Sequence, residues 1–321
     1  MKALLKIVVV FFVIMIPVFV HAEPHLILNF DINKTLIASD KAGNKTVEDV
    51  LNELLAEKYS DCWDSSMKTP MTFDAYVNEI LVPGDKDDRT LRNERRLYLH
   101  HFLDYLSDHD HPLYQTALQD YHAALAVLYA SKGSVFPSFY QLIDELDRKG
   151  ISYSIILRSF GEEVLEVKEE IESNHRITFS QTGKFREGVL VLADGSMMED
   201  SAAIFTWMRT IGHAAIHDDW NYWDAHGMSS KYGKPFYLDD NHETLSLFFD
   251  DSIRFEDSIK NILAPMDAKT GESISMKQLM ESRQAVRIDT LEAILRANYY
   301  IDCVQEALDA YQYPLKSQAK A

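Results

Sequence analysis

The chain has 321 residues, 46% of them hydrophobic and including 16 Phe, 16 Tyr and 4 Trp. That is enough for one large α/β domain or a core carrying an insertion, and it excludes wholesale disorder. A formal charge of −18 disfavours nucleic acid and anionic lipid as partners, so an anionic ligand needs local cations or a bound metal to draw it in.

Residues 1–22 read as a secretory signal peptide. Lys2 and Lys6 precede an uncharged apolar run from Ile7 to Val20, and Val20-His21-Ala22 supplies the exit. An uncleaved membrane anchor is the rival reading, since Leu4 to Val20 is nearly long enough to span. Cleavage would place the mature start at Glu23, send the protein to the periplasm or outside the cell with no membrane association, and deepen the negative charge by the two lysines lost.

The apolar run HLILNFD, residues 25–31, is too short for a helix and suits a buried parallel strand. From Thr46, a candidate N-cap, Val47, Val50, Leu51, Leu54 and Leu55 recur at three and four. Further helical patterns cover Phe73–Leu81, Arg89–Leu106 and Leu113–Tyr129, so residues 36–134 form a mainly helical insertion. Pro137-Ser138 opens a helix that Gly150 closes, and Ile151–Leu157 is a second buried strand, ending in Arg158-Ser159. A helix over 162–173 follows, then short strands at His175–Ser180 and Val189–Ala193, read as a hairpin through Gly183. Ser201–Thr210 is helical, Ala214-Ala215-Ile216 is an Ala-rich run suited to a helix, and Asp218–Gly233 is irregular and aromatic. There Trp220, Tyr222 and Trp223 either pack beneath a loop or line a pocket. Asp239-Asp240 reads as a turn. Thr244–Phe249 is a strand ending in Asp250-Asp251, and a strand at Asn261–Pro265, a turn at Thr270-Gly271 and helices near 276–283 and 289–311 complete the chain.

Strand–helix alternation predicts a doubly wound, mostly parallel sheet, built from residues 23–35 and 135–321. Ligands of such sheets bind at the carboxyl ends of the strands, where Asp31, Ser159 and Asp250-Asp251 would gather. A carboxylate there can attack phosphorus, and a divalent cation bound by hard oxygens can screen it from the phosphate it attacks.

These strand ends resemble the signatures of the haloacid dehalogenase (HAD) superfamily. Asp31-Ile32-Asn33-Lys34-Thr35 matches its Asp-x-Asp-x-Thr motif except at the second acid. Ser159 matches the second motif, Asp250-Asp251 the fourth, and Lys234, with Lys231 as substitute, the third. The resemblance implies a HAD-like core with the helical insertion as a cap, and a Mg²⁺-dependent phosphatase. Asp31 would be the nucleophile and Lys234 a catalytic cation. Ser159 would contact substrate phosphate, and Asp31, the Asn33 carbonyl, Asp250 and Asp251 would hold the metal; Arg158, beside Ser159, either reaches the same phosphate or forms an exposed salt bridge. The substrate would be a phosphorylated small molecule or a phosphoprotein. Asn33 departs from the pattern, because a carboxamide can neither protonate a leaving group nor activate water. An alternative is therefore a secreted metal- or phosphate-binding protein that has lost catalysis.

Asp218-Asp219 is a rival for the paired acids, less favoured because Leu247-Phe248-Phe249 is the better buried strand. Cys62 and Cys303 either form a disulfide or remain free thiols. His100-His101 and His109-Asp110-His111 lack the clustering of a zinc site. Asn33 and Asn44 begin formal glycosylation sequons, the first discounted because of its place in the site loop.

Overall fold

The computed structural model describes residues 23–39, 45–85, 88–239, 243–255 and 260–318. The signal-peptide reading, the Asn44 sequon and Asp240 lie outside the described residues. Among those described, no helix is long and apolar enough to cross a membrane.

Twelve strands are formed among the described residues: β1 His25–Asp31, β2 Ser60–Asp61, β3 Met71–Thr72, β4 Tyr153–Ser159, β5 Gln181–Arg186, β6 Val189–Leu192, β7 Met197–Met198, β8 His213–His217, β9 Lys234–Leu238, β10 Thr244–Asp250, β11 Leu263–Asp267 and β12 Ala285–Arg287. Eight of them make one sheet in the order β12-β10-β1-β4-β8-β5-β6-β7. It is parallel from β12 to β5 and turns antiparallel only at β6 and β7. The protein is thus α/β with a large, mostly parallel central sheet. β9 and β11 pair as a separate parallel ribbon.

Alternation along β1 explains how both faces are covered. Leu26, Leu28 and Phe30 enter a core shared with helices Pro137–Lys149, Glu163–Asn174 and Tyr299–Gln318. Ile27, pointing the other way, joins Ile204, Phe205 and Met208 of helix Ser201–Thr210. Phe30 stacks on Phe249 at 4.5 Å and meets Phe139 edge-on at 5.1 Å, which ties the two central strands to the layer above. A strand buried on both faces has to be apolar throughout, which is why HLILNFD and TLSLFFD were readable as strands.

The segment between β1 and β4 is helical: Val47–Lys58, Phe73–Tyr76 running into a π turn at Val77–Leu81, Arg89–His100, Phe102–Asp108 and Tyr114–Ala130. Thr46 caps the first of these in a full capping box with Asp49. The helix expected over Arg89–Leu106 breaks at His101, and that over 289–311 splits into Thr290–Leu295 and Tyr299–Gln318. Phe73, Phe102 and Trp63 form an aromatic cluster inside this block, and it runs on into the main core. Helices Val47–Lys58 and Tyr114–Ala130 rest on Thr290–Leu295.

Two sequence expectations are corrected. The first hairpin strand is Gln181–Arg186, not His175–Ser180. Ile177 and Phe179 bury in the core without a partner strand, whereas 181–186 pairs with both β6 and β8. The turn lies at Glu187-Gly188, both at positive φ, as a two-residue hairpin requires. Ala214-Ala215-Ile216 is strand, not helix: Gly212, at φ 82°, ends the preceding helix region, and β8 inserts between β4 and β5. Burial between two strands overrides the helical propensity of alanine. The irregular aromatic stretch also contains a short helix, Trp220–Ala225. Cys62 and Cys303 are free thiols, the first exposed and the second partly buried.

Candidate active site

Chain order runs outward from β1 in both directions, to β4 and β8 on one side and to β10 and β12 on the other. The gap beyond the carboxyl ends of β1 and β10 is therefore the topological switch point, where such sheets leave a crevice. In-register pairing of β1 with β10 places Asp31 beside Asp250, and Asp31 is also level with Arg158 of β4.

Asp31, Asp250 and Asp251 offer carboxylate oxygens that all lie within 4.8 Å of one another. Lys234, at the start of β9, reaches into the same group, its Nζ 2.5 Å from Asp31 Oδ1 and 2.8 Å from Asp250 Oδ2. Lys234 and Asp250 are fully buried and Asp31 nearly so. Gly233 makes room for this entry, because a side chain there would collide with the Ile262 carbonyl, to which the Lys234 N–H donates. Lys231 is exposed and lies over the Tyr232 ring, so the lysine at the acids is Lys234.

The loop after β1 locks the acids in place. Thr35 Oγ1 accepts the Asp251 N–H at 3.2 Å, while the Tyr300 hydroxyl donates to the Thr35 carbonyl. Asp250 Oδ1 accepts the Ser252 N–H at 2.8 Å. Lys34 adopts φ 56° and turns its ammonium to Glu53, 2.9 Å away in the helical block. Lys45 joins Glu53 from the other side at 2.8 Å; burial alone would raise that carboxyl, but the two lysines outweigh it and hold it at about 2.

Charge in the central cluster is unbalanced. Burial, reinforced by Asp250 and Asp251, pushes the Asp31 carboxyl well above the usual range despite the pull of Lys234. Burial and Asp250 push Asp251 up to about 7. Burial would lower Lys234, yet Asp250 and Asp31 hold its ammonium above the ordinary lysine value. Three carboxylates against one ammonium leave two formal negative charges for a cation to cancel. The donor set, all oxygen, fits a hard divalent ion such as Mg²⁺. Among the described residues no other group of acids, histidines or cysteines has such clustering.

Ser159 Oγ accepts the Gly161 N–H at 3.0 Å and donates to Glu163 Oε1 at 3.1 Å. The Asn33 amide also donates to Glu163, while its Oδ1 is buried without a partner. Glu163 is the residue the sequence reading passed over. It is 5% exposed and folds over Gly161, where any side chain would strike its carboxylate. An acid four residues after a strand-ending serine, with glycine between, was the available signal.

Arg158 was expected at substrate phosphate or in an exposed salt bridge, and the structure shows a buried ion pair instead. Its guanidinium is wholly buried, gripping Asp218 through two hydrogen bonds of 2.5 and 3.1 Å and donating to the Pro235 carbonyl at 2.9 Å. The same pairing removes Asp218 from contention as a metal ligand, and Asp219 caps the Trp220 helix. Trp223 packs parallel to Phe160 and donates to the Asn261 carbonyl, whereas Trp220 is 44% exposed and faces the cleft. Tyr222 lines a separate small cavity with Lys231.

Asp31, Asn33, Ser159, Glu163 and Asp251 line one cleft of about 930 Å³, to which helix Arg89–His100 and β5 also contribute side chains. No protein family, curated protein or solved structure compared with the chain matches it.

Proposed function

We propose that this chain is an exported Mg²⁺-dependent phosphatase of the HAD type, with residues 36–134 as its cap. The observation that carries the reading is the set of buried Asp31, Asp250 and Lys234 with half-buried Asp251 at the switch point, short of two positive charges. Asp31, Asp250 and Asp251, with the main-chain carbonyl of Asn33, would hold the metal. When bound, Mg²⁺ supplies neutralisation between a carboxylate nucleophile and a phosphate that would otherwise repel each other.

The chain's own residues do the rest. Lys234 aims Asp31 and pulls it towards its ionised form, against a desolvation that favours the protonated one and that a bound cation would further offset. An Asp31 carboxylate oxygen attacks phosphorus, the bond to the leaving oxygen breaks, and water later cleaves the aspartyl-phosphate to release inorganic phosphate. Ser159 turns its hydroxyl from Glu163 to a phosphoryl oxygen, and Lys234 offsets the negative charge of the transferring group. The helical block shields the attack from bulk water. Asn33 supplies no proton, so turnover favours esters whose leaving groups are already acidic.

The tie between Asn33 and Glu163 favours a second reading, in which the fold binds metal and phosphate without turnover. Hydrolysis of para-nitrophenyl phosphate separates the two. The phosphatase reading expects turnover with Mg²⁺, none with EDTA, and a loss on the order of 10⁴-fold in Asp31→Asn. Absence of turnover in protein that still binds Mg²⁺ would establish the second reading instead.

A further inference from the structure

The far walls of the cleft carry four cations that the chemistry above does not use. Arg92 and Arg96 are one turn apart on helix Arg89–His100, so they share a face, while Arg95 between them turns inward to the carbonyls of Val82, Gly84 and Asp85. Lys184 and Arg186 alternate with buried Gly183 and Phe185 on β5, and so project together to line the same cleft. Arg92, Lys184 and Arg186 are exposed and Arg96 half-buried. Among the described residues none of the four forms an ion pair.

The acids on these walls have partners of their own. Asp218 is held by Arg158, Asp219 caps a helix, Glu162 is 3.6 Å from His217 and Glu163 accepts from Asn33 and Ser159. In a chain with 50 acidic and 32 basic side chains, four cations without an ion-pair partner lining one cleft offer an anion local points of attraction away from the central acids. At about 930 Å³ the cleft is far larger than a phosphate needs and falls in the range of small-molecule sites.

We infer that the ligand is a small phosphate ester whose leaving group carries a further anionic group, phosphate or carboxylate, held between Arg92/Arg96 and Lys184/Arg186. The inference rests on the phosphatase reading only for which end of the ligand meets Asp31. The four side chains act as specificity determinants, drawing a doubly anionic molecule into an otherwise repulsive protein.

Isothermal titration of the metal-free full chain tests this without turnover. Inorganic tripolyphosphate is expected to bind at least about tenfold more tightly than orthophosphate, and more weakly as salt rises. The R92Q/R96Q and K184Q/R186Q variants should each weaken it about tenfold, two exposed charge contacts being lost together. R92E/R96E should abolish binding while melting like the parent chain. Citrate binding as tightly as tripolyphosphate supports a carboxylate as the second anion, and weaker citrate binding supports a phosphate. Tripolyphosphate binding no better than orthophosphate, or unchanged in the variants, overturns the inference. Such a failure would leave Mg²⁺-dependent hydrolysis untouched, whereas absent hydrolysis with intact tripolyphosphate binding would count against the phosphatase reading alone.

Discussion

Asp218 and Asp250 are both buried acids at the carboxyl side of the sheet, each followed by a second aspartate and each gripped by a buried cation. Their surroundings differ in one respect. Asp218 faces Arg158 one to one, and the guanidinium also donates to the Pro235 carbonyl and to Asn29, so that pair is balanced in charge. Asp250 shares Lys234 with Asp31, and Asp251 crowds the same space. Equal numbers of opposite charges produce a structural pin. Three acids on one lysine produce a site that is incomplete by itself, with two carboxyl groups driven towards their protonated forms.

The largest expected effect breaks the balanced pair. Arg158→Met leaves Asp218 buried and uncompensated, and urea denaturation should show a loss of about 3–5 kcal/mol. A loss below about 1 kcal/mol would mean that the pair is not the pin described. Next in size is a change at the open cluster's rim. On the phosphatase reading, Asn33→Asp would place an acid beside the leaving group and should speed hydrolysis of alkyl phosphates by about 10²-fold. An unchanged rate would show that the missing proton donor does not limit the reaction.

The smallest effect concerns stability and pH. Because the Asp251 carboxyl is raised from 3.8 to about 7, its contribution is most favourable at low pH and is lost as pH rises through that value. Asp251→Asn should therefore stabilise the metal-free protein by roughly 1–2 kcal/mol at about pH 8, with no gain in acid. If the proposed site holds Mg²⁺, the substitution should also remove most of the thermal stabilisation that added Mg²⁺ gives the parent chain. Equal melting of the two metal-free proteins at every pH would contradict the charge imbalance.

Much of this was legible in the sequence where burial is two-sided. β1 and β10 are continuous apolar runs, and a polar residue directly after such a run has to emerge at the sheet's edge, so Asp31 and Asp250 could be located from spacing alone. Lys234 was harder to place, since it begins a short strand outside the main sheet and only tertiary contact with Ile262 shows that it enters the acids. β5, with the polar sequence QTGKFR, has one exposed face and no apolar run, and β8 is rich in alanine; both are strands because of their neighbours. Arg158 misled for a similar reason. Its position beside Ser159 suggested the cleft or an exposed salt bridge, but consecutive strand residues point to opposite faces, and its own face is buried. Glu163 and the four wall cations needed the fold, because their meaning lies in what they face across the cleft.

The central claim is that Asp31, Asp250 and Asp251 together hold one divalent cation. A crystal of the protein soaked in Mn²⁺ and measured at the manganese absorption edge tests it most directly. One anomalous peak between the carboxylates of Asp31 and Asp250, with Asp251 beside it, is the expected result. A peak at Asp218 and Asp219, or none within reach of Asp31, would contradict it.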